Sequence, residues 1–224
     1  MKDNYHVSLI SESKRLQLVP YREHHVLKYH DWMCDPAILE ATASEPLTLQ
    51  EEYEMQQTWR DDPKKITFIL LLGDSLVQEL RDKGHTIGDS EQDRMAGDVN
   101  LFLHDRDDPT NAEIEIMVAE HSFRRLGLAR EALHMLMRYG MQSLGVTRFF
   151  AKIGEDNAAS LALFKSLGYI EVNYVAAFRE RELAMTADAV LAAQLEAATR
   201  YASEIDFPLL SSRRIVGGDC REQC

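Results

Sequence analysis

The stretch Asn111–Ala129, NAEIEIMVAEHSFRRLGLA, constrains the fold more than any other part of the chain. It begins as a strand: Ile114, Ile116 and Val118 alternate with Glu113, Glu115 and Met117, the period of two that sends successive side chains to opposite faces of a sheet. It ends in Arg124-Arg125-Leu126-Gly127-Leu128-Ala129. A helical pattern follows over Leu128–Ser143, with Ala132, Leu136 and Tyr139 on one face and Gly145 suited to the C-cap. A strand, a turn with small residues at fixed places and a helix start together suit an anion. The first N–H groups of a helix lack internal partners, and the helix dipole adds partial positive charge there. Gly127 and Ala129 let a phosphate approach the backbone closely, while Arg124, Arg125 and Arg130 supply charge. A Walker-type loop is excluded, because no Gly-Lys-[Ser/Thr] follows.

Composition narrows the setting. With 224 residues and 45% hydrophobic content the chain suffices for one domain with a full core. The net charge of −12 disfavours nucleic acid as a partner and mildly favours a cationic substrate. Cys34, Cys220 and Cys224 fit no zinc spacing and no disulfide framework, which points to a reducing compartment. No apolar run has the length of a membrane span, and the N-terminus lacks a signal-peptide core. A soluble cytoplasmic protein without a metal is expected, and His24, His25 and His30 read as surface or packing residues.

Before the central strand, Arg15–Val19 reads as a first strand and Tyr21–Asp35 as a helix stopped by Pro36. Thr48 with Glu51 forms a capping box that opens a second helix. Ile66–Leu72 reads as a buried strand. Residues 73–94 read as a mobile hairpin insertion, with a short helix over Ser75–Leu80 as the alternative, and Met95–Leu103 as the next strand, with a bulge at Gly97. His104–Thr110 reads as a turn. After the central helix, Thr147–Ile153 is expected as a strand parallel to the central one. Asn157 is a helix N-cap, Gly168 closes that helix, and Tyr169–Ala176 with Phe178–Met185 form a last strand pair. The expected division is residues 1–185 as the domain and 186–224 as a C-terminal helix and tail.

Two motifs carry a resemblance. Arg124–Ala129 resembles the [RQ]-x-x-G-x-[GA] motif with which GNAT acetyltransferases hold the pyrophosphate of acetyl-CoA. Asn157–Tyr169 resembles their second motif, N-x-x-[AS]-x-x-x-[YF]-x-x-x-G-[FY], position for position. The two occur in order, separated by a helix and a strand. The stretches TASEPLTLQEEY (Thr42–Tyr53), GDVNLFL (Gly97–Leu103) and AKIGEDN (Ala151–Asn157) resemble one branch of that family, whose suggested target is the N-terminus of tubulin. The resemblance covers about Lys14–Met185.

It implies an α/β fold with a mixed central sheet, splayed between its fourth and fifth strands and flanked by helices, with acetyl-CoA in the cleft. Backbone groups of Met117, Val118 and Ala119 would pair with pantetheine. Arg124, Arg125, Leu126, Gly127, Leu128 and Ala129 would hold the pyrophosphate, and Asn157 would reach the sulfur end. Glu113 stands where the histone-acetylating branch has its base, and Glu115 shares its strand face. Two nearby carboxylates raise one pKa, which suits a base; the plainer reading of both is a solvated acidic face. Phe164 occupies the place of the usual acid Tyr and cannot donate, which leaves Tyr174, with Tyr169 read as core, or a thiolate that departs unassisted. The implied function is transfer of acetyl from acetyl-CoA to the amine of a protein N-terminus. The alternatives are a small-amine acetyltransferase and a silent CoA-binding module that acts through cytoskeletal partners.

Overall fold

The computed structural model describes residues 7–11, 13–103, 108 and 110–199, with the backbone of 203–206. Most of the turn expected at His104–Thr110 lies outside them, as do Cys220, Cys224 and the tail beyond residue 206.

The strands are β1 (Val7–Ile10), β2 (Leu16–Pro20), β3 (Lys65–Leu72), β4 (Met95–Phe102), β5 (Asn111–Val118), β6 (Arg148–Gly154), β7 (Ile170–Val175), β8 (Glu180–Thr186) and β9 (Ser203–Asp206). They form one mixed sheet in the order β7-β8-β6-β5-β4-β3-β2-β1-β9. The helices are α1 (Val26–Met33), α2 (Pro36–Thr42), α3 (Leu49–Asp61), α4 (Asp74–Asp82), α5 (Leu128–Leu144), α6 (Ala158–Ser166) and α7 (Ala189–Ala198). Since β1 precedes the first strand expected from sequence, the expected fourth and fifth strands are β5 and β6. They are the parallel pair, and they do splay. Asn111–Glu113 pair with Arg148–Phe150, and the register ends there, so Ile114–Val118 have no strand beside them on that side among the described residues.

Each face of the sheet carries its own core. Ile114, Leu101, Phe68 and Phe149 face α5, with Ile116 packed against them. Gly140 of α5 lets the Phe149 ring approach, since a Cβ there would lie 3.0 Å from it. On the other face Ile69, Leu71, Met95 and Ala119 pack beneath α1, α2 and α3, with an aromatic group of Tyr21, Tyr29, Trp32 and Trp59. On the same face Glu113 is buried and Glu115 is exposed.

Local signals place several boundaries. Thr48 and Glu51 form the capping box of α3, Asn157 accepts from Ser160 N at 3.1 Å, and Gly145 ends α5 at φ 70°. The bulge falls at Ala96, beside Gly97, whose own Cβ would strike Met117 O. Pro36 does more than stop a helix: it is the first residue of α2, capped by Asp35, where a missing N–H costs nothing. In the segment 73–94 the helical alternative forms as α4, and Leu76, Val77 and Leu80 bury one apolar stripe in the main core.

After Met185, residues 186–199 and the backbone of 203–206 are built into the sheet and the helical layer. α7 packs on α5 through Leu191 and Leu195, Arg138 donates to Thr199 Oγ1 at 3.1 Å, and β9 pairs with β1. Leu195 is 2% exposed. Leu195→Ala is therefore expected to cost about 2–5 kcal/mol, read as a lower denaturant midpoint at unchanged slope. A midpoint within error of the parent would show that α7 adds nothing to the core.

Candidate functional site

The turn after β5 is shaped by two left-handed residues, Arg125 (φ 64°) and Gly127 (φ 85°). Such a curl directs successive N–H groups into one concavity, and it delivers the chain to the N-terminus of α5. A Cβ at Gly127 would meet nothing within 4 Å, so the space in front of this turn is open. Arg125 is exposed. Arg124 folds back instead, donating from Nε to Val118 O at 2.9 Å, and Arg130 donates to Ser166 Oγ of α6.

The ladder decides which backbone groups face the gap between β5 and β6. Ala119 N–H donates to Ala96 O at 2.9 Å, and in an antiparallel ladder hydrogen-bonded and free positions alternate. The groups of Glu115 and Met117 are thus turned to β4, while those of Ile114, Ile116 and Val118 are turned to the gap. Of the three residues expected along pantetheine, Val118 faces it, with Ile116 behind. Asn157, as the α6 cap, stands across the gap after β6.

The second face holds the titratable groups. Glu113, 6% exposed, takes an ion pair from Lys152 Nζ at 2.9 Å. Glu115 is different: it is exposed, yet its pKa is pushed up to about 7, first by desolvation against the surrounding protein and then by the charge of Glu113. Beside them a cavity of about 200 Å³ is lined by Lys152, Val175, Phe178, Glu180 and Glu182. Phe178 is 74% exposed.

The aromatic residues weighed for the acid are each engaged by other groups. Phe164 is buried and stacks edge-on against Tyr169, whose hydroxyl contacts Met137 Sδ at 3.2 Å; both are core. Tyr174 donates to Glu155 Oε2 at 2.8 Å, which raises its pKa.

One cluster escaped sequence reading. His24, His25 and Glu91 converge, although 66 residues separate His25 from Glu91. His25 Nδ1 accepts from Arg22 N–H at 3.0 Å, so Nε2 carries the proton and donates to Glu91 Oε1 at 2.6 Å. Such a tautomer makes the group a hydrogen-bonded clamp between the start of α1 and the segment before β4. It holds no lone pair of His25 ready for a metal.

The split between the parallel strands opens onto the N-terminus of α5, and the chain's family and relatives make it an acetyl-CoA-dependent N-acetyltransferase. Residues 15–170 match the family model described as the acetyltransferase (GNAT) domain, and the chain belongs to that family. Within it the chain belongs with the N-acetyltransferase 9 proteins. It is 49% identical over 180 residues to an N-acetyltransferase 9-like protein of Nematostella vectensis, covering 80% of this chain and 86% of that one. It is 44% identical to the alpha/beta-tubulin-N-acetyltransferase 9 of Mus musculus, covering 80% of this chain and 71% of that one. Among solved structures, Mycobacterium smegmatis RimJ in complex with CoA-disulfide shares the fold at TM-score 0.64 and 18% identity, over 88% of this chain and 95% of that one. No helix among the described residues is long and apolar enough to cross a membrane.

Proposed function

We propose that the protein acetylates the α-amine of a protein N-terminus, with tubulin as the acceptor, and that Glu115 is the base. The observation that carries the reading is the contrast between the two carboxylates on one strand face. An ammonium must lose a proton before it can attack a thioester, and a base works best with a pKa near the working pH. Glu115 has such a pKa and opens to solvent, whereas Glu113 is buried and engaged by Lys152. Glu113 then acts on Glu115 as a neighbouring charge.

The cofactor side is read as follows. The thioester supplies the acetyl group. The N–H groups from Arg125 to Ala129 and the start of α5 bind the pyrophosphate, aided by the Arg125 side chain. Val118 and Ile116 present backbone groups along the gap, and Asn157 lies toward the reacting end. Tyr174, tied to Glu155, is a poor proton donor, and a thiolate of modest pKa departs without one. On the acceptor side, the apolar surface of Val175 and Phe178 beside Glu180 and Glu182 suits a cationic peptide start. The tubulin assignment rests on the name of the mouse relative.

Incubation with acetyl-CoA and peptides copying tubulin N-termini, read by mass, tests this. A gain of one acetyl group on the α-amine, absent from N-terminally blocked peptides, is the expected result. Acetylation confined to lysine side chains or to spermidine would overturn the acceptor assignment.

A further inference from the structure

Lys65 is a buried cation that the reaction as described leaves unused. It opens β3, is 8% exposed, and holds Nζ 2.9 Å from the centre of the Trp59 ring and 4.4 Å from that of Phe102. Among the described residues it has no ion-pair partner within bonding distance. A buried ammonium is costly, and ring faces offset only part of that cost. A methionine would fill the same slot between the rings. Packing therefore accounts for the stem of Lys65 and not for its charge.

The charge faces the acceptor side of the sheet. Lys65 is the cross-strand neighbour of Phe102, and Phe102 of Glu113; two residues along, Thr67, Asn100 and Glu115 stand in the same relation. Thr67 Oγ1 donates to Asn100 Oδ1 at 2.6 Å, and Asn100 Nδ2 donates to Asp98 Oδ2 at 2.7 Å, which Tyr29 also approaches at 3.4 Å. Asn100 thus stands between a buried carboxylate and the one in the cleft. Four charged groups act on Glu115. Glu113 on its own strand and Asp98 on β4 disfavour its ionised form, while Lys65 on β3 and Lys152 on β6 favour it. Lys152 is already engaged by Glu113 at 2.9 Å. Lys65 has no such engagement; burial brings its pKa down to about 8, against the pull of Asp98, Glu115 and Asp62, so it carries its charge at neutral pH and loses it above that.

We propose that Lys65 is a positioning residue of the transferase: its ammonium is the counter-charge that keeps Glu115 able to take a proton from the acceptor amine, while its stem is held between Trp59 and Phe102. The inference rests on the reading of Glu115 as base.

Two variants separate charge from shape. Lys65→Met keeps the stem and removes the charge; Lys65→Arg keeps a charge. Glu115 is followed directly by carbon-13 NMR of its carboxyl, assigned by loss of the signal in Glu115→Gln, alongside kcat/KM from about pH 6 to 9, the range that brackets a group titrating near neutrality. In Lys65→Met the Glu115 titration and the acid limb of the profile should both move up by about one pH unit. That shift lowers kcat/KM about fivefold at neutral pH and little at high pH. Lys65→Arg should stay near the parent. The proposal is overturned if Lys65→Met, shown folded by its melting curve, leaves the titration in place, or if its loss of activity is the same at every pH. A fully active Glu115→Gln would remove the base reading itself, and that variant is measured first. With Glu115→Gln inactive and the titration unmoved in Lys65→Met, the role of Lys65 alone fails.

Discussion

Glu115→Gln is expected to lower turnover by about a hundredfold to ten-thousandfold, with cofactor binding retained because the amide keeps the shape. The deficit should shrink as pH rises, since the amine then loses its proton without help. The sign follows from the raised pKa of about 7: a base works when deprotonated, so the parent rate climbs through that pH and the variant lacks the limb. Glu113→Gln makes the contrast. It removes the like charge beside Glu115 and releases Lys152 from its ion pair. Both changes favour ionised Glu115, so the acid limb should move to lower pH, with a much smaller loss of rate. A large, pH-compensated loss at Glu113 alone would return the role of base to that residue. An unchanged rate in both variants would leave the two carboxylates as a solvated face.

Replacement of Gly127 by Glu is expected to abolish CoA binding measured by calorimetry. Gly127 holds φ 85° at the cap of α5, with open space where a side chain would project. A carboxylate there would fill the approach to the first N–H groups and repel a phosphate. Gly127→Ala is the graded control: it strains the left-handed backbone by about 1–2 kcal/mol but adds no charge, so its affinity should fall less. Undiminished CoA affinity in a folded Gly127→Glu protein would remove the turn from the cofactor site.

Much of the fold was legible because its signals are local. Thr48 and Glu51 meet within one turn of helix, and Asn157 reaches Ser160 N three residues on. The alternation of Ile114, Ile116 and Val118 with Glu113, Glu115 and Met117 places the two sets on opposite faces whatever lies around them. The Arg124–Ala129 turn between strand and helix was legible for the same reason.

What escaped depends on partners distant along the chain. β1 is a four-residue strand whose partners are β2 and β9, the latter nearly two hundred residues away; nothing in its own sequence states that pairing. Periodicity puts Glu113 and Glu115 on one face and cannot rank them. The difference between them comes from Lys152, which closes on Glu113 across the strand pair, and from Lys65, Asp98 and the exposure of Glu115. Likewise the strand pattern could not say which backbone groups face the gap, because that depends on the register with β4. The sequence by itself determined the strand, the turn that follows it and the caps, since each is an interaction among neighbours in the chain. The tertiary structure alone decided that the Glu115 pKa is raised to about 7, because a pKa is set by burial and by charges that only folding brings together.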